Sequence, residues 1–493
     1  MIILAAYPNC TATNGFLSTP LADLSIFLKM LAPPGVGLHL LPFSPSTGDW
    51  GFAPEDRFTV RPEFGTWGDI QRLAEQRRLI VDGIYNHVGL GHIFAQSFFD
   101  SSDSRTDLIY AFPDNDVLDG PRSPRGGSVL RPHIVQGRRW HVWQTFSDSV
   151  VDIRLDNPMV RQEIDRHLKL LADQGVWGIR LDALVYFGKE LGQNQRHHPD
   201  AYRLAREIAD LALAHNLKVI AQVDCDAHGL RYFPKQMGYD VPVVDYSYSA
   251  YMAHALLGGN PTAFAGHLER TWNVHHILIR APRTHDGILL RSSNLSEKVT
   301  AGIVQKAAKY NIDTRVIDGS PYELNCSFPY LCSAGVDKAS LRRRIELAIS
   351  VTAFVPGWCY LYLPSIVGYV PEIDHFSNED PRSLNRQPMP LSVMNDFLTS
   401  AGCESMYSLL VWLLSLRDEF GVKETLNMTH DTVSIPMQGV LSLRRSNVRL
   451  QLLANFNCHS NADVTGLVSG QWIGGRQSGQ NSISPLGFGV WRG

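Results

Sequence analysis

The sequence has no concentration of positive charge. Its 45 Lys and Arg are set against 48 Asp and Glu, for a formal net charge of -3. Binding a nucleic acid backbone needs a basic stripe, so a nucleic-acid partner is not expected. Cysteine is scarce and scattered: Cys10, Cys225, Cys326, Cys332, Cys359, Cys403 and Cys458 are odd in number and show no CxxC spacing. That pattern argues against a disulfide framework or a zinc site and fits reduced thiols in a cytosol. No apolar run reaches the roughly 18 residues that a membrane span requires. The opening MIILAAYPN has no basic lead and an early proline, and reads as a first strand rather than a signal peptide. Internal repeats and low-complexity tracts are also missing. A soluble, cytoplasmic protein without a membrane partner is expected.

A chain of 493 residues can bury a large core, and one large domain with smaller appendages is the natural arrangement. Short apolar runs recur at 2–6, 36–41, 79–84, 176–181, 217–223, 241–244, 277–279 and 357–362. Amphipathic stretches of helical period lie between several of them, as at 159–172, 201–215 and 341–352. Near-continuous apolar strands alternating with helices indicate a parallel sheet covered on both faces. Eight of them suit a closed (β/α)8 TIM barrel, whose active site lies at the strand C-terminal ends.

Residues 88–145 and 290–340 interrupt this rhythm and read as loop-rich insertions after strands three and seven. Past the helical stretch 406–420 the pattern changes to short alternating strands, indicating a small C-terminal all-β domain at 426–493. The barrel then comprises 1–87, 146–289 and 341–425.

Four polar clusters fall where barrel strands should end. Strand three runs into DGIYNH, with Asp82, Asn86 and His87. Strand four ends in GIRLDA, where Arg180 and Asp182 are two apart and so share one face of the strand. Strand five ends in VIAQVDCD, with Gln222, Asp224 and Asp226, and strand seven leads to RTHDGI, with His285 and Asp286. An aspartate at a strand end is usually a turn residue or an ion-pair partner. Four such clusters at four strand ends are harder to dismiss.

These motifs, in this order, resemble glycoside hydrolase family 13, the α-amylase family. The stretches DWGFAPEDRFTVRPEFGTWGDI, RLDALVYFGKELG, THDGI, PYELNCSF and DPRSLNRQ narrow the resemblance to its sucrose phosphorylase-like branch, which acts on small glucosides. The resemblance runs from the first strand to past residue 386, and the C-terminal domain adds little to it. It implies a retaining enzyme, in which a carboxylate nucleophile and a carboxylic acid flank the scissile bond roughly 5 Å apart. Asp182 matches the nucleophile, and Arg180 beside it is expected to keep it ionised. Asp286 matches the transition-state stabiliser. His87 and His285 match histidines that bond the glucose, while Asp49 and Arg386 match a pair that closes the sugar subsite. Phe52, Phe146 and Tyr186 match its apolar walls, although ordinary core packing explains such rings equally well. Asn86 in this family supports a calcium site or orders the loop; the branch usually lacks the metal, so no metal and no cofactor are expected.

One position departs from the family, which places Glu where this chain has Gln222. A carboxamide is nearly isosteric with a carboxylic acid but has no proton to give, and general acid catalysis contributes about 10²–10⁴-fold. Three explanations stand open: Gln222 is an inactivating replacement of the acid, Asp224 or Asp226 has taken over, or the protein binds sugar without cleaving it.

The acceptor side decides between water and phosphate. Phosphorylases of the branch this chain resembles hold phosphate with an Arg-bearing loop in the first insertion and a Tyr-containing loop in the second, which makes Arg131, Arg138, Arg139 and Tyr322 the candidates. Glu323, where the branch has an uncharged amide, is expected to repel it and to favour a small polyol leaving group. The sequence thus favours an exo-acting α-glucoside hydrolase working through a glucosyl-Asp182 intermediate on sucrose or glucosylglycerol. The alternative is a phosphorylase releasing glucose 1-phosphate. The partner is a small α-glucoside, and a homodimer is left open.

Overall fold

A computed structural model describes the chain except for residues 12–18, 101–104, 115–120, 225–226, 239, 273, 275, 292–294, 372–381, 421–430, 469, 476 and 480. Eight parallel strands close into a barrel: β1 (Ile2–Ala6), β2 (Gly37–Leu40), β3 (Leu79–Gly83), β4 (Gly178–Leu181), β5 (Lys218–Ala221), β6 (Val243–Val244), β7 (Leu278–Arg280) and β8 (Trp358–Tyr362). They pair in chain order, and β1 closes the ring against β8 through Ile2 beside Cys359 and Leu4 beside Leu361. Every residue of β1, β4 and β8 is buried, because barrel side chains on one face and helices on the other remove both faces from water.

The covering helices follow from local sequence. Pro158–Asp173 begins with proline at its first position, where no N–H is needed, and Asn157 Oδ1 accepts from Met159 N at 2.8 Å. Its buried Val160, Ile164, Leu168 and Leu171 recur every three to four residues and form the stripe that packs on the strands. Fully burying one such side chain stabilises the fold by about 1.5–3 kcal/mol.

The insertions are more ordered than their composition suggests. The first holds a helix, Ile93–Phe99, and an antiparallel sheet in which Arg138–Trp143 lies between Ala111–Pro113 and Leu130–Val135. The second holds a helix, Glu297–Lys309, capped by Ser296, and strands Asp313–Ile317 and Ser320–Asn325. Their strands are half-exposed and polar, so no apolar run marks them in the sequence. At the C-terminal end, strands Thr432–Met437, Val440–Arg445, Leu450–Asn455, Phe488–Arg492 and Gln471–Gly475 form a five-stranded sheet. It packs against the helices Thr262–Trp272 and Lys338–Phe354.

Candidate active site

A cavity of about 530 Å³ opens at the C-terminal ends of the strands. Asp182, Gln222, Asp286, Asp49, Phe52, His87, Phe146, Tyr186, His285, Tyr322, Glu323 and Arg386 all line it, so residues spread over more than 330 positions of sequence meet in one place. Arg180 stands beneath, 3.4 Å from Asp182 Oδ1.

Asp182 follows the last residue of β4, and the next residue, Ala183, turns the chain through a left-handed conformation with φ 52°. Such a conformation is costly for a residue with a Cβ and is held by its surroundings. Here the Ala183 N–H donates to Gln222 Oε1 at 3.1 Å. The end of β4 and the side chain after β5 are thereby tied together.

Arg180 does not secure the ionised form of Asp182, contrary to the expectation from their spacing. Its guanidinium bonds more closely to Asp82, at the end of β3. Burial, followed by the charges of Asp82, Asp286 and Asp49, outweighs Arg180 and pushes the Asp182 carboxyl up to about 7. Asp82 moves the other way: burial is overcome by Arg180 and His39, which hold it well below the usual carboxylate range.

On the opposite wall, Arg386 ties three elements together. Its Nε donates to the His285 carbonyl at 3.2 Å, and its two Nη atoms each lie 3.0 Å from Asp49 Oδ1 and Asp286 Oδ1. Asp49 sits in a tight turn, Asp49–Gly51, whose three residues have φ of 48°, 53° and 96°. A Cβ on Gly51 would lie 2.6 Å from Pro42 Cβ, so both the close approach and the positive φ favour glycine there. Burial raises the carboxyls of Asp286 and Asp49, but the surrounding positive charges more than offset it and hold both well below the usual range.

His285 stacks on Phe52 with ring centroids 5.4 Å apart and 8° between planes. Burial lowers its pKa to about 3, so the imidazole is neutral. His87 packs edge-on against Phe146 at 5.2 Å, and Phe146 against Tyr186 at 5.4 Å. His87 also reaches the Phe52 carbonyl through Nε2 at 2.8 Å, while Nδ1 meets Asn86. A sugar hydroxyl must therefore compete with Phe52 for this ring.

Asn86 takes part in a buried cage. The Lys189 ammonium lies 2.8 Å from Asn86 Oδ1, 2.6 Å from the Tyr186 carbonyl and 3.1 Å from Asp152 Oδ2. An ammonium thus occupies the position among carboxamide, carbonyl and carboxylate oxygens that would suit a hard cation.

Two expectations for the acceptor side are corrected. Arg131, Arg138 and Arg139 do not line the cavity; they lie on the hairpin of the first insertion, where Arg131 pairs with Asp148 and Arg139 with Asp114. Arg122 and Arg125, from the turn preceding that hairpin, line the cavity instead, and Arg125 Nη2 reaches Asp49 Oδ2 at 2.6 Å. Glu323 is not an open negative charge. It is 1% exposed, bonded by Arg382 Nη2 at 2.9 Å and approached by Arg315 at 3.5 Å. Gly287 makes room for it, since a Cβ there would lie 2.5 Å from Glu323 Oε2.

The sequence reading also missed Arg382, Arg196 and Tyr246 on the cavity wall. Arg382 stands four residues before Arg386 in RSLNR, a helical spacing that could have revealed it. Of the substitutes considered for the missing acid, Asp224 lines the cavity but is bonded by Arg196, and Asp226 lies outside the described residues. Among the described residues no group of His, Cys, Asp and Glu side chains is placed to hold a metal.

The profile of the alpha amylase catalytic domain matches residues 30–224. A glucosylglycerate phosphorylase of Spirochaeta thermophila is 34% identical over 205 residues, which cover 41% of this chain and 35% of that protein. The chain thus aligns with only about a third of that relative's length. The glucosylglycerate phosphorylase of Allomeiothermus silvanus is 29% identical over 418 residues, covering 78% of this chain and 73% of that one. Among solved structures, sucrose 6F-phosphate phosphorylase from Thermoanaerobacter thermosaccharolyticum superposes with a TM-score of 0.78 at 19% identity, over 92% of this chain and 94% of the other. The closed eight-stranded barrel, the convergence at its C-terminal mouth and these matches agree: residues 30–224 are similar to the α-amylase catalytic domain, and the whole chain has the (β/α)8 fold of the solved structures it resembles.

Proposed function

We propose that this cavity forms a glucosyl ester on Asp182 and passes the glucosyl unit to phosphate, as a phosphorylase of small α-glucosides. Asp286, Asp49 and Arg386 are assigned the hydroxyls of the bound glucose, and Phe52, Phe146 and Tyr186 its apolar faces. The observation that carries the reading is the compensation of Glu323 within a wall that also presents several guanidinium groups. Arg122, Arg125, Arg196, Arg291 and Arg382 line the cavity, and Glu323, the one residue expected to repel phosphate, is neutralised by Arg382 and Arg315. The preference for water over phosphate rested on that repulsion and loses its support. The relatives named as phosphorylases favour the same side. With Glu323 compensated, an anionic aglycone such as glycerate stands beside fructose and glycerol as a candidate.

Gln222 favours a second reading, a protein that binds a glucoside without cleaving it. An assay on the Gln222→Glu variant with sucrose, glucosylglycerol and glucosylglycerate, with and without phosphate, separates these. Phosphate-dependent glucose 1-phosphate is the expected product. Free glucose formed equally well without phosphate would identify a hydrolase, and binding without any product would identify a sugar-binding protein.

A further inference from the structure

Restoring a glutamate tests the site, but the chain itself carries glutamine, and its surroundings define what it can do. The Ala183 N–H fixes Oε1 of Gln222 as the acceptor end, so the other end of the carboxamide is an N–H donor. It can hydrogen-bond a leaving oxygen, but it cannot protonate one. The remaining carboxylates on the described wall are committed to guanidinium groups: Asp49 to Arg386 and Arg125, Asp224 to Arg196, Asp286 to Arg386 and Arg382, Asp318 to Arg122, and Glu323 to Arg382. Apart from Asp182, every described carboxylate on this wall answers a guanidinium, which favours its ionised form over one that could lend a proton to a departing alkoxide.

An acid leaving group needs no such proton. It departs as a stable anion, and an acid arrives already ionised. We infer that the chain with Gln222 in place exchanges the glucosyl unit between acids rather than between alcohols, with an α-glucosyl phosphate as the donor class and an oxyanion as the acceptor. This rests on the glucosyl-Asp182 reading proposed above. In the first step an Asp182 oxygen bonds to C1 while the C1–O bond to a singly protonated phosphate breaks, and the electron pair leaves with hydrogen phosphate, which keeps the proton it already carried. In the second, an oxyanion oxygen bonds to C1 and the electron pair of the C1–Oδ bond returns to Asp182. No proton moves in either step. Each guanidinium carries five N–H donors, so the cavity arginines can hold the departing and the arriving anion in turn through donors their carboxylates leave over. Gln222 then selects the substrate: it admits acids and excludes simple glucosides.

Arsenate provides the readout, because a glucosyl arsenate formed in the second step falls apart in water to glucose and arsenate. The unmodified chain and the Gln222→Glu variant are each given α-glucose 1-phosphate with and without arsenate, and separately sucrose with phosphate. The unmodified chain is expected to release glucose from the sugar phosphate only with arsenate, within about tenfold of the variant. On sucrose it is expected to trail the variant by about 10²–10⁴-fold, the usual contribution of a general acid. If the variant carries out arsenolysis and the unmodified chain does not, the selection by Gln222 is refuted while the glucosyl-Asp182 reading survives. Equal cleavage of sucrose by both proteins refutes the selection as well. If both proteins are inert towards the sugar phosphate, the glucosyl-Asp182 reading falls and the inference with it.

Discussion

Arg180 stands 3.4 Å from the Asp182 carboxylate but gives its closer hydrogen bond to Asp82. One guanidinium is thus divided between two buried carboxylates, and the one at the cavity floor receives the smaller share. Burial and the neighbouring negative charges then leave Asp182 titrating at about 7. Only its ionised form can attack C1. The rate of glucosyl-ester formation should therefore rise with pH through this value and level off above it. α-Glucosyl fluoride makes a suitable donor, since fluoride leaves without a proton and does not titrate in that window. With no carboxylic acid at position 222, no falling alkaline limb from a general acid is expected. The fluoride burst, followed from pH 5 to 9 in roughly unit steps, checks this. A flat profile would show that Asp182 is ionised throughout. The Asp82→Asn variant should shift the rise to lower pH, because it removes a negative charge and releases Arg180 to Asp182.

The same raised value has a consequence for stability. A carboxyl whose folded pKa exceeds its unfolded one favours the fold while neutral, and this advantage is lost as pH rises through the folded value of about 7. At pH 8 the folded protein carries the full cost of the buried charge. Replacing Asp182 by Asn should remove that cost, raising stability by roughly 2–4 kcal/mol at pH 8, with the gain shrinking towards zero near pH 4. Glucosyl transfer would be abolished. Thermal unfolding of both proteins across this range is the measurement, and a stability difference independent of pH would contradict it.

Much of this architecture is legible in the sequence because parallel strands buried on both faces leave continuous apolar runs. Even the two-residue strand Val243–Val244 lies within one. Residues at the strand ends are also legible, since closure of a barrel brings all eight ends to one mouth. What the sequence conceals are pairings set by loops. Arg382 reaches Glu323 across 59 positions and Lys189 reaches Asn86 across 103. No local pattern indicates that these charges meet. For the same reason the resemblance to the sucrose phosphorylase-like branch points to Arg131, Arg138 and Arg139 as phosphate ligands. Only the course of the hairpin shows that Arg125 lines the cavity while they do not. The titration of Asp182 is equally hidden, because its perturbing neighbours come from β3, from the residues after β7 and from the Asp49 turn.

The Lys189 cage gives a prediction independent of activity. Lys189 and Asp152 both have fully buried side chains, and Asp152 is otherwise held by Asn86, the Thr145 N–H and the Thr145 hydroxyl. Removing one member of a buried ion pair typically costs about 3–5 kcal/mol, because the partner is left charged without compensation. Lys189→Met should lose stability of that order in urea unfolding. The double variant Lys189→Met with Asp152→Asn should regain part of it. A single variant as stable as the parent would show that the ammonium is not the counter-charge of this cage.

Arg382 serves two carboxylates at once, Glu323 at 2.9 Å and Asp286 at 3.3 Å, and so links the second insertion to the residues after β7. Its removal should act on the acceptor side in two ways that a pair of variants can separate. Arg382→Ala deletes a positive charge and also exposes the cavity to a less compensated Glu323, leaving Arg315 at 3.5 Å as its partner. The KM for phosphate or arsenate should rise by about tenfold or more, equivalent to at least ~1.4 kcal/mol of lost anion binding. Adding Glu323→Gln removes the repulsion but does not restore the lost guanidinium. If repulsion by Glu323 is the larger part, the double variant should recover most of the lost affinity for the anion. If direct contact with Arg382 is the larger part, it should recover little. An unchanged KM in Arg382→Ala would show that the anion is held elsewhere, with Arg125, Arg122 and Arg196 the next residues to replace.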